Sequence, residues 1–259
     1  SFTASWLETQ TDDVSKTILQ IRKLDKIRNT FIKNMIIEKA NKGRIHCSFN
    51  QMGTVTGRFS SQYPNLQQVP ARDPELGPMI RSLFVPEENH EWICADYSQQ
   101  EPRVLVHYAS LKNISSANDV RDAFNENSDT DFHTMVATMA NIPRKQAKTI
   151  NLGLFYGMGK KKLANELGLD EETAYDLFNK YHTKVPFVQE LSKQVSNVAS
   201  NRGFIKTILC RKRRFELWEP RDMWGEKAYP LSEAHAQYHK QELKRAYTHT
   251  ALNALIQGS

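Results

Sequence analysis

The chain has 259 residues, 39% of them hydrophobic and 25% charged, which is enough apolar mass for one large or two modest domains and excludes a disordered tail. Lysine and arginine outnumber aspartate and glutamate 35 to 29, and the formal charge of +6 favours an anionic partner without requiring one. Cys47, Cys94 and Cys210 are scattered singly, which points away from a zinc site or a disulfide framework and fits a reducing cytosol; no apolar run nears the roughly 20 residues of a membrane span, no signal peptide is visible, and the lack of an initiator methionine marks Ser1 as a cut end.

From Asp12 to about Ala40, the residues Val14, Ile18, Ile21, Leu24, Ile27, Phe31 and Met35 recur at steps of three and four, predicting one long helix with a single apolar face. Lys16, Arg22, Lys23, Lys26, Arg28 and Lys33 occupy the other side and read as a solvated face. After Gly43 the period changes to two at Ile45, Cys47 and Phe49; turn chemistry at residues 50–53 and a return over Thr54–Phe59 predict a hairpin. Residues 60–90, rich in proline and polar side chains, read as a surface stretch able to offer its amides to a ligand.

The apolar run Trp92-Ile93-Cys94-Ala95 reads as a buried strand that ends at Asp96, a good position from which a carboxylate can hold a metal ion. A helix follows from about Glu101 to Leu111, with Pro102 in its first turn, where a missing N–H leaves nothing unpaired. Asp119–Phe124 and Asp131–Ala140 read as short helices, and Pro143 opens a stronger one that runs to about Tyr156 and stops at Gly157. Arg144, Lys148, Leu152 and Tyr156 are four apart and form one stripe, while Gly153 and Gly157 permit close approach to the backbone. Further helices are predicted at about Lys161–Leu167, at Glu171–His182 capped by Asp170, and at Phe187–Asn201 with Gly203 past its end. Phe204–Cys210 reads as a strand leading into the basic run Arg211-Lys212-Arg213-Arg214, and Leu231 to the end as mostly helical.

These parts together ask for a phosphate-bearing substrate, a divalent metal on Asp96, and cations on a helix that can reach a polyphosphate. Magnesium suits an all-oxygen carboxylate site better than zinc.

The stretch Asp96-Tyr97-Ser98-Gln99-x-Glu101-x-Arg103 resembles motif A of the DNA polymerase I family (family A), and Arg144-x-x-x-Lys148-x-x-Asn151-x-Gly153-x-x-Tyr156-Gly157 resembles its motif B. Thr56-Gly57-Arg58, Pro64-Asn65-Leu66-Gln67, Asp131-Phe132-His133-Thr134 and Asn253-x-x-x-Gln257-Gly258 match four further family segments in order, so the resemblance runs from about residue 44 to the end. It implies an α+β, mainly helical fold: the base of a thumb leading into the palm over residues 1–43, the first part of a polymerase palm sheet over 44–112, a helical fingers subdomain over 113–228, and a helix returning to the palm over 229–259.

The resemblance also implies roles. Asp96 is a catalytic aspartate that ligates a pair of Mg2+ ions, with the Tyr97 carbonyl as a further ligand, and Glu101 lies under the incoming sugar and excludes a 2'-hydroxyl. Arg144, Lys148 and His133 hold the triphosphate of a dNTP, and Lys148 protonates the leaving pyrophosphate. Gln99 and Arg103 support the site through hydrogen bonds, Leu152 lies against the nucleotide, and Tyr156 and Gly157 sit near the templating base. Arg58, Asn65, Gln67, Asn253 and Gln257 read the primer-template duplex in its minor groove, where acceptor positions vary little between base pairs. The implied reaction is template-directed DNA synthesis by two-metal phosphoryl transfer, in the cytoplasm of a bacterial or phage-infected cell, with a eukaryotic organelle left open and no membrane partner.

Several positions depart from the family pattern. Gln100 and Pro102 replace residues that are usually apolar, Leu152 stands where an aromatic is usual, and His249 is closer to the phage branch than to the bacterial one. The family's third motif, a His-Asp-Glu whose aspartate is the second metal-binding carboxylate, has no counterpart in this sequence; the expectation is a chain inactive alone, completed by the remainder of the palm and thumb. Two other readings compete: a catalytically silent DNA-binding module, and a single-subunit RNA polymerase, against which Glu101 argues.

Overall fold

The computed structural model describes residues 2–71, 73–155, 160–223 and 225–259. It is mainly helical with small antiparallel sheets, and divides into two compact units, Ser1–Ala95 and Asp96–Ser259.

In the first unit, α1 (Ala4–Glu8) is followed by α2 (Asp13–Lys26), whose N-cap Asp12 accepts the Ser15 N–H at 2.8 Å. The helix continues over Ile27–Ile37 in a wider π winding, with Glu38 N–H reaching the Lys33 carbonyl five residues back at 2.9 Å. The single apolar face expected along this segment is split. Ile27, Phe31 and Met35 are buried with Leu76 and Ile80 of α3 (Leu76–Arg81), whereas Val14, Ile21 and Leu24 are exposed. The reason is reach: α3 is six residues long and packs on the second half of the stripe alone. Lys23 and Asp73 add an ion pair at 2.5 Å.

A tight turn at Lys42-Gly43 joins β1 (Ala40–Asn41) to β2 (Arg44–Ile45), and β3 (Ser48–Asn50) pairs with β4 (Ser60–Gln62), Phe49 opposite Ser61. The predicted hairpin therefore forms with a later return strand than Thr54–Phe59. There the Gly57 N–H bonds the Thr54 carbonyl and the Thr54 hydroxyl bonds the Arg58 carbonyl, which takes these groups away from a ladder. A short 3-10 turn at Leu66–Gln68 follows.

The buried strand expected at Trp92–Ala95 is not formed: these residues are irregular, with Trp92 72% and Ile93 90% exposed. An apolar run becomes a strand only where a neighbour pairs its backbone, and among the described residues none pairs with this one.

The second unit is built on α4 (Gln100–Leu111), α5 (Ala117–Glu126), α6 (Phe132–Ala140), α7 (Arg144–Phe155), α8 (Lys160–Leu167), α9 (Glu171–Lys184) and α10 (Pro186–Arg202). Asp131 and Asp170 cap α6 and α9 by accepting the N–H three residues on. Leu105, Phe132, Ile150, Tyr181, Phe187 and Leu252 lie in one continuous core shared by α4, α6, α7, α9, α10 and the last helix. No helix among the described residues is long and apolar enough to cross a membrane.

The strand expected over Phe204–Cys210 shortens to β5 (Phe204–Lys206), because Thr207 N–H and the Arg211 carbonyl close a turn at 2.9 Å and the basic run itself returns as β6 (Lys212–Arg214). The segment from Leu231 is less helical than expected. β7 (Leu217–Pro220) pairs with β8 (Tyr229–Pro230) on one edge and with β9 (Leu243–Arg245) on the other, so a strand stands between α11 (Leu231–Gln237) and α12 (Ala251–Gln257). Arg245 ties this sheet to the end of α10. It stacks on Trp218 at 4.5 Å and donates to the Ser200 and Phe215 carbonyls, passing so close to Gly203 that an added Cβ would lie 2.8 Å from its guanidinium carbon.

Candidate functional site

Two side chains fix the entrance to α6. Gln99, in the left-handed conformation just before α4, donates from Nε2 to the Thr130 carbonyl at 2.7 Å and accepts the Phe132 N–H on Oε1 at 2.6 Å. One primary amide thus satisfies a carbonyl and an N–H on either side of Asp131. Arg103 donates to the Ser98 carbonyl at 3.0 Å and to the Ser128 carbonyl at 2.6 Å, with its guanidinium 4.4 Å from the Phe124 ring centre. The start of α4 and the start of α6 are therefore held as one piece.

Asp131 is placed by that brace. Its Oδ1 accepts the Thr134 N–H at 2.7 Å and its Oδ2 accepts from Arg144 Nη2 at 2.7 Å, while Arg144 Nε donates to the Thr134 hydroxyl at 3.2 Å. The Arg144 guanidinium, helped by the capping N–H, holds the Asp131 carboxyl down to about 2 despite partial burial.

In the first turn of α6, half-buried His133 accepts on Nδ1 from the Asn151 amide of α7 at 3.0 Å, and the Tyr181 hydroxyl of α9 donates to Asn151 Oδ1. Asn151 and Tyr181 are fully buried. Burial pushes His133 below the ordinary imidazole range, Asp131 pulls it back up, and Arg144 and Lys148 push it down again. Burial drives the Tyr181 phenol well above its usual range, so it stays protonated. Arg144 and Lys148 on α7 are exposed. An imidazole with two exposed cations beside it can bind a polyanion, the cations by charge and the ring by a directed hydrogen bond.

The other expected site residues are dispersed. Asp96 and Tyr97 lie in the exposed, irregular stretch before α4, and Glu101 is half-buried in its first turn. Among the described residues no group of three or more His, Cys, Asp or Glu side chains could hold a metal ion. Leu152 is 37% exposed on α7, and Tyr156 and Gly157 lie outside the described residues. In the first unit Arg58 is exposed, Asn65 accepts the Gln67 N–H at 3.1 Å and Gln67 donates to the Phe59 carbonyl at 3.1 Å, so both amides hold their own loop. Asn253 and Gln257 stand four apart on the half-buried side of α12, whose other side buries Leu252, Leu255 and Ile256.

Motif matching passed over Tyr181, Asn151 as a ligand of His133, and Asp131 as the partner of Arg144. A signal existed for Tyr181: it continues the spacing of Ala174 and Phe178 along one face of α9, and a tyrosine buried there must find a partner for its hydroxyl.

The sequence model of the family described as DNA polymerase family A matches residues 2–259. A DNA-directed DNA polymerase of Pseudomonas phage M6 is 35% identical over 299 residues, covering 95% of this chain and 41% of the relative. A thermostable DNA polymerase I of Thermus filiformis is 36% identical over 202 residues, covering 77% of this chain and 24% of the relative. A solved structure, the POL domain of Pol1 from M. smegmatis in complex with DNA primer-template and dNTP, is similar with a TM-score of 0.75 at 29% identity, covering 98% of this chain and 42% of that one. The chain spans less than half the length of each of these three proteins.

Proposed function

The chain belongs to DNA polymerase family A, and from that premise we propose that it carries the nucleotide-binding face and one catalytic carboxylate of a template-directed DNA polymerase. The observation that carries this reading is the grouping of Arg144, Lys148 and His133 on α6 and α7, braced by Asp131 and Asn151. A dNTP triphosphate fits that chemistry: Arg144 and Lys148 neutralise phosphate charge, His133 donates one hydrogen bond, and Lys148 protonates the departing pyrophosphate. Glu101, in the first turn of α4, serves as the sugar filter, and Leu152 lies against the nucleotide. Arg58, Asn65, Gln67, Asn253 and Gln257 contact the primer-template. In this reading residues 44–112 belong to the palm, 113–228 to the fingers and 229–259 to the return, after a thumb-base segment over 1–43; the enzyme works in the cytoplasm of a bacterial or phage-infected cell.

Asp96 and the Tyr97 carbonyl are the ligands this chain offers to Mg2+. A two-metal reaction needs at least one more carboxylate beside them, and in this reading the chain by itself does not extend a primer. The lone Asp96 also favours a second reading, a DNA-binding module without catalysis. Titration of the chain with a dNTP and Mg2+ separates the two. Saturable nucleotide binding that weakens at least tenfold in the double variant Arg144→Ala, Lys148→Ala supports the polymerase reading, whereas duplex binding with no nucleotide binding supports the module. In a full-length polymerase containing this sequence, primer extension that survives Asp96→Ala would sink the role of Asp96.

A further inference from the structure

We propose that Asn151 and Tyr181 are positioning residues that decide which ring nitrogen of His133 carries the proton, leaving Nε2–H as the donor offered to nucleotide phosphates. The phosphate half of this rests on the function proposed above; the proton half does not.

Tyr181 reaches Asn151 with its hydroxyl, inside the core and away from water. The phenol gives its one proton to Oδ1, which is then the accepting end of the Asn151 amide. The donating end, Nδ2, is thereby turned to His133 Nδ1 at 3.0 Å. Nδ2 has only protons to offer, so Nδ1 must present its lone pair, and the neutral ring carries its proton on Nε2. An imidazolium would set an N–H of the ring against an N–H of the amide. The relay therefore opposes protonation, in the same sense as burial and the charges of Arg144 and Lys148, with Asp131 the opposing charge. His133 becomes a neutral, oriented donor beside two cations, with its orientation set from α9.

If the buried pair were only a satisfied core contact, the imidazole would be indifferent to it. Nitrogen-15 NMR of the histidine rings in this chain, without nucleotide, decides the point. In the unsubstituted chain His133 is expected unprotonated at Nδ1 and protonated at Nε2 at neutral pH. Tyr181→Phe frees the amide to turn and gives a mixture of tautomers. Asn151→Asp places an acceptor at Nδ1, moves the proton there, and raises the titration midpoint by a pH unit or more. An unchanged tautomer and midpoint in Tyr181→Phe, with its melting curve intact, overturns the proposal even if Asn151→Asp fails to fold. Titration with dNTP and Mg2+ is the second arm, where Tyr181→Phe is expected to weaken binding threefold to tenfold. If the imidazole responds as described but the unsubstituted chain binds no nucleotide, the functional reading fails and the control of the tautomer stands.

Discussion

Arg144 and Asp131 meet at 2.7 Å across the first turns of two successive helices, so one carboxylate both caps α6 and anchors the first residue of α7. The contact adds to the shared core and to the Asn151–His133 hydrogen bond, which already join the two helices across the three-residue connection 141–143.

Asp131→Asn separates the two jobs, because asparagine caps a helix as well as aspartate but carries no charge. The Asp131 carboxyl sits at about 2 in the folded chain against roughly 3.9 unfolded, so its contribution is complete above about pH 4 and disappears as the pH falls through about 2. Both side chains are partly exposed, and solvent screening keeps the contribution of the Asp131 charge below about 1 kcal/mol. Thermal melts of Asp131→Asn should lie slightly below the unsubstituted chain at pH 7 and converge with it near pH 2. Asp131→Ala should lose about 1 kcal/mol more at every pH, the value of the cap.

Gln99→Glu keeps size and shape and changes one atom. The retained oxygen still accepts the Phe132 N–H, but an oxygen now faces the Thr130 carbonyl where Nε2 donated at 2.7 Å. Two acceptors in contact should cost about 1–3 kcal/mol at pH 7, read as a lower denaturant midpoint. Acidification protonates the glutamate and restores a donor, so part of the loss should return below about pH 4. A midpoint equal to that of the unsubstituted chain at pH 7 would remove Gln99 from the brace.

Gly203→Ala should destabilise the second unit. Gly203 has φ +75°, a region that costs a residue with a Cβ about 1–2 kcal/mol. The added carbon also meets a guanidinium that cannot easily retreat, since Arg245 is committed to Trp218 and two carbonyls. Urea unfolding checks it, and an unchanged midpoint would mean that Arg245 is freer than its contacts indicate.

Leu152→Phe tests whether an exposed position of α7 belongs to the proposed nucleotide site. The side chain is 37% exposed, so stability should stay within about 0.5 kcal/mol. If Leu152 lies against the nucleotide, the apparent dNTP dissociation constant must change, and equal affinities would take it out of the site.

Local chemistry was readable wherever a residue acts on its own neighbours. Asp170 and Gly203 marked helix ends correctly because a cap needs only the backbone three or four residues away. Trp92–Ala95 misled because composition reports that a segment can form a strand, and pairing decides whether it does. β7, β8 and β9 were invisible because two to four residues are too few to show a period. His133, Arg144 and Lys148 were named from motif spacing, and the structure groups them. Their supports were not: Tyr181 lies 30 residues from Asn151, and no local pattern joins them.

The wide winding of Ile27–Ile37 separates chain length from helix phase. Each i→i+5 turn holds a residue that an α-turn would not, so the segment can lose one residue without any loop to absorb the change. One i→i+5 turn would close into an ordinary i→i+4 turn, and the residues beyond the deletion would keep their phase about the axis. Met35 would then keep its place against Leu76 and Ile80. A related chain one residue shorter in this stretch should keep both the helix and the face it shows to α3.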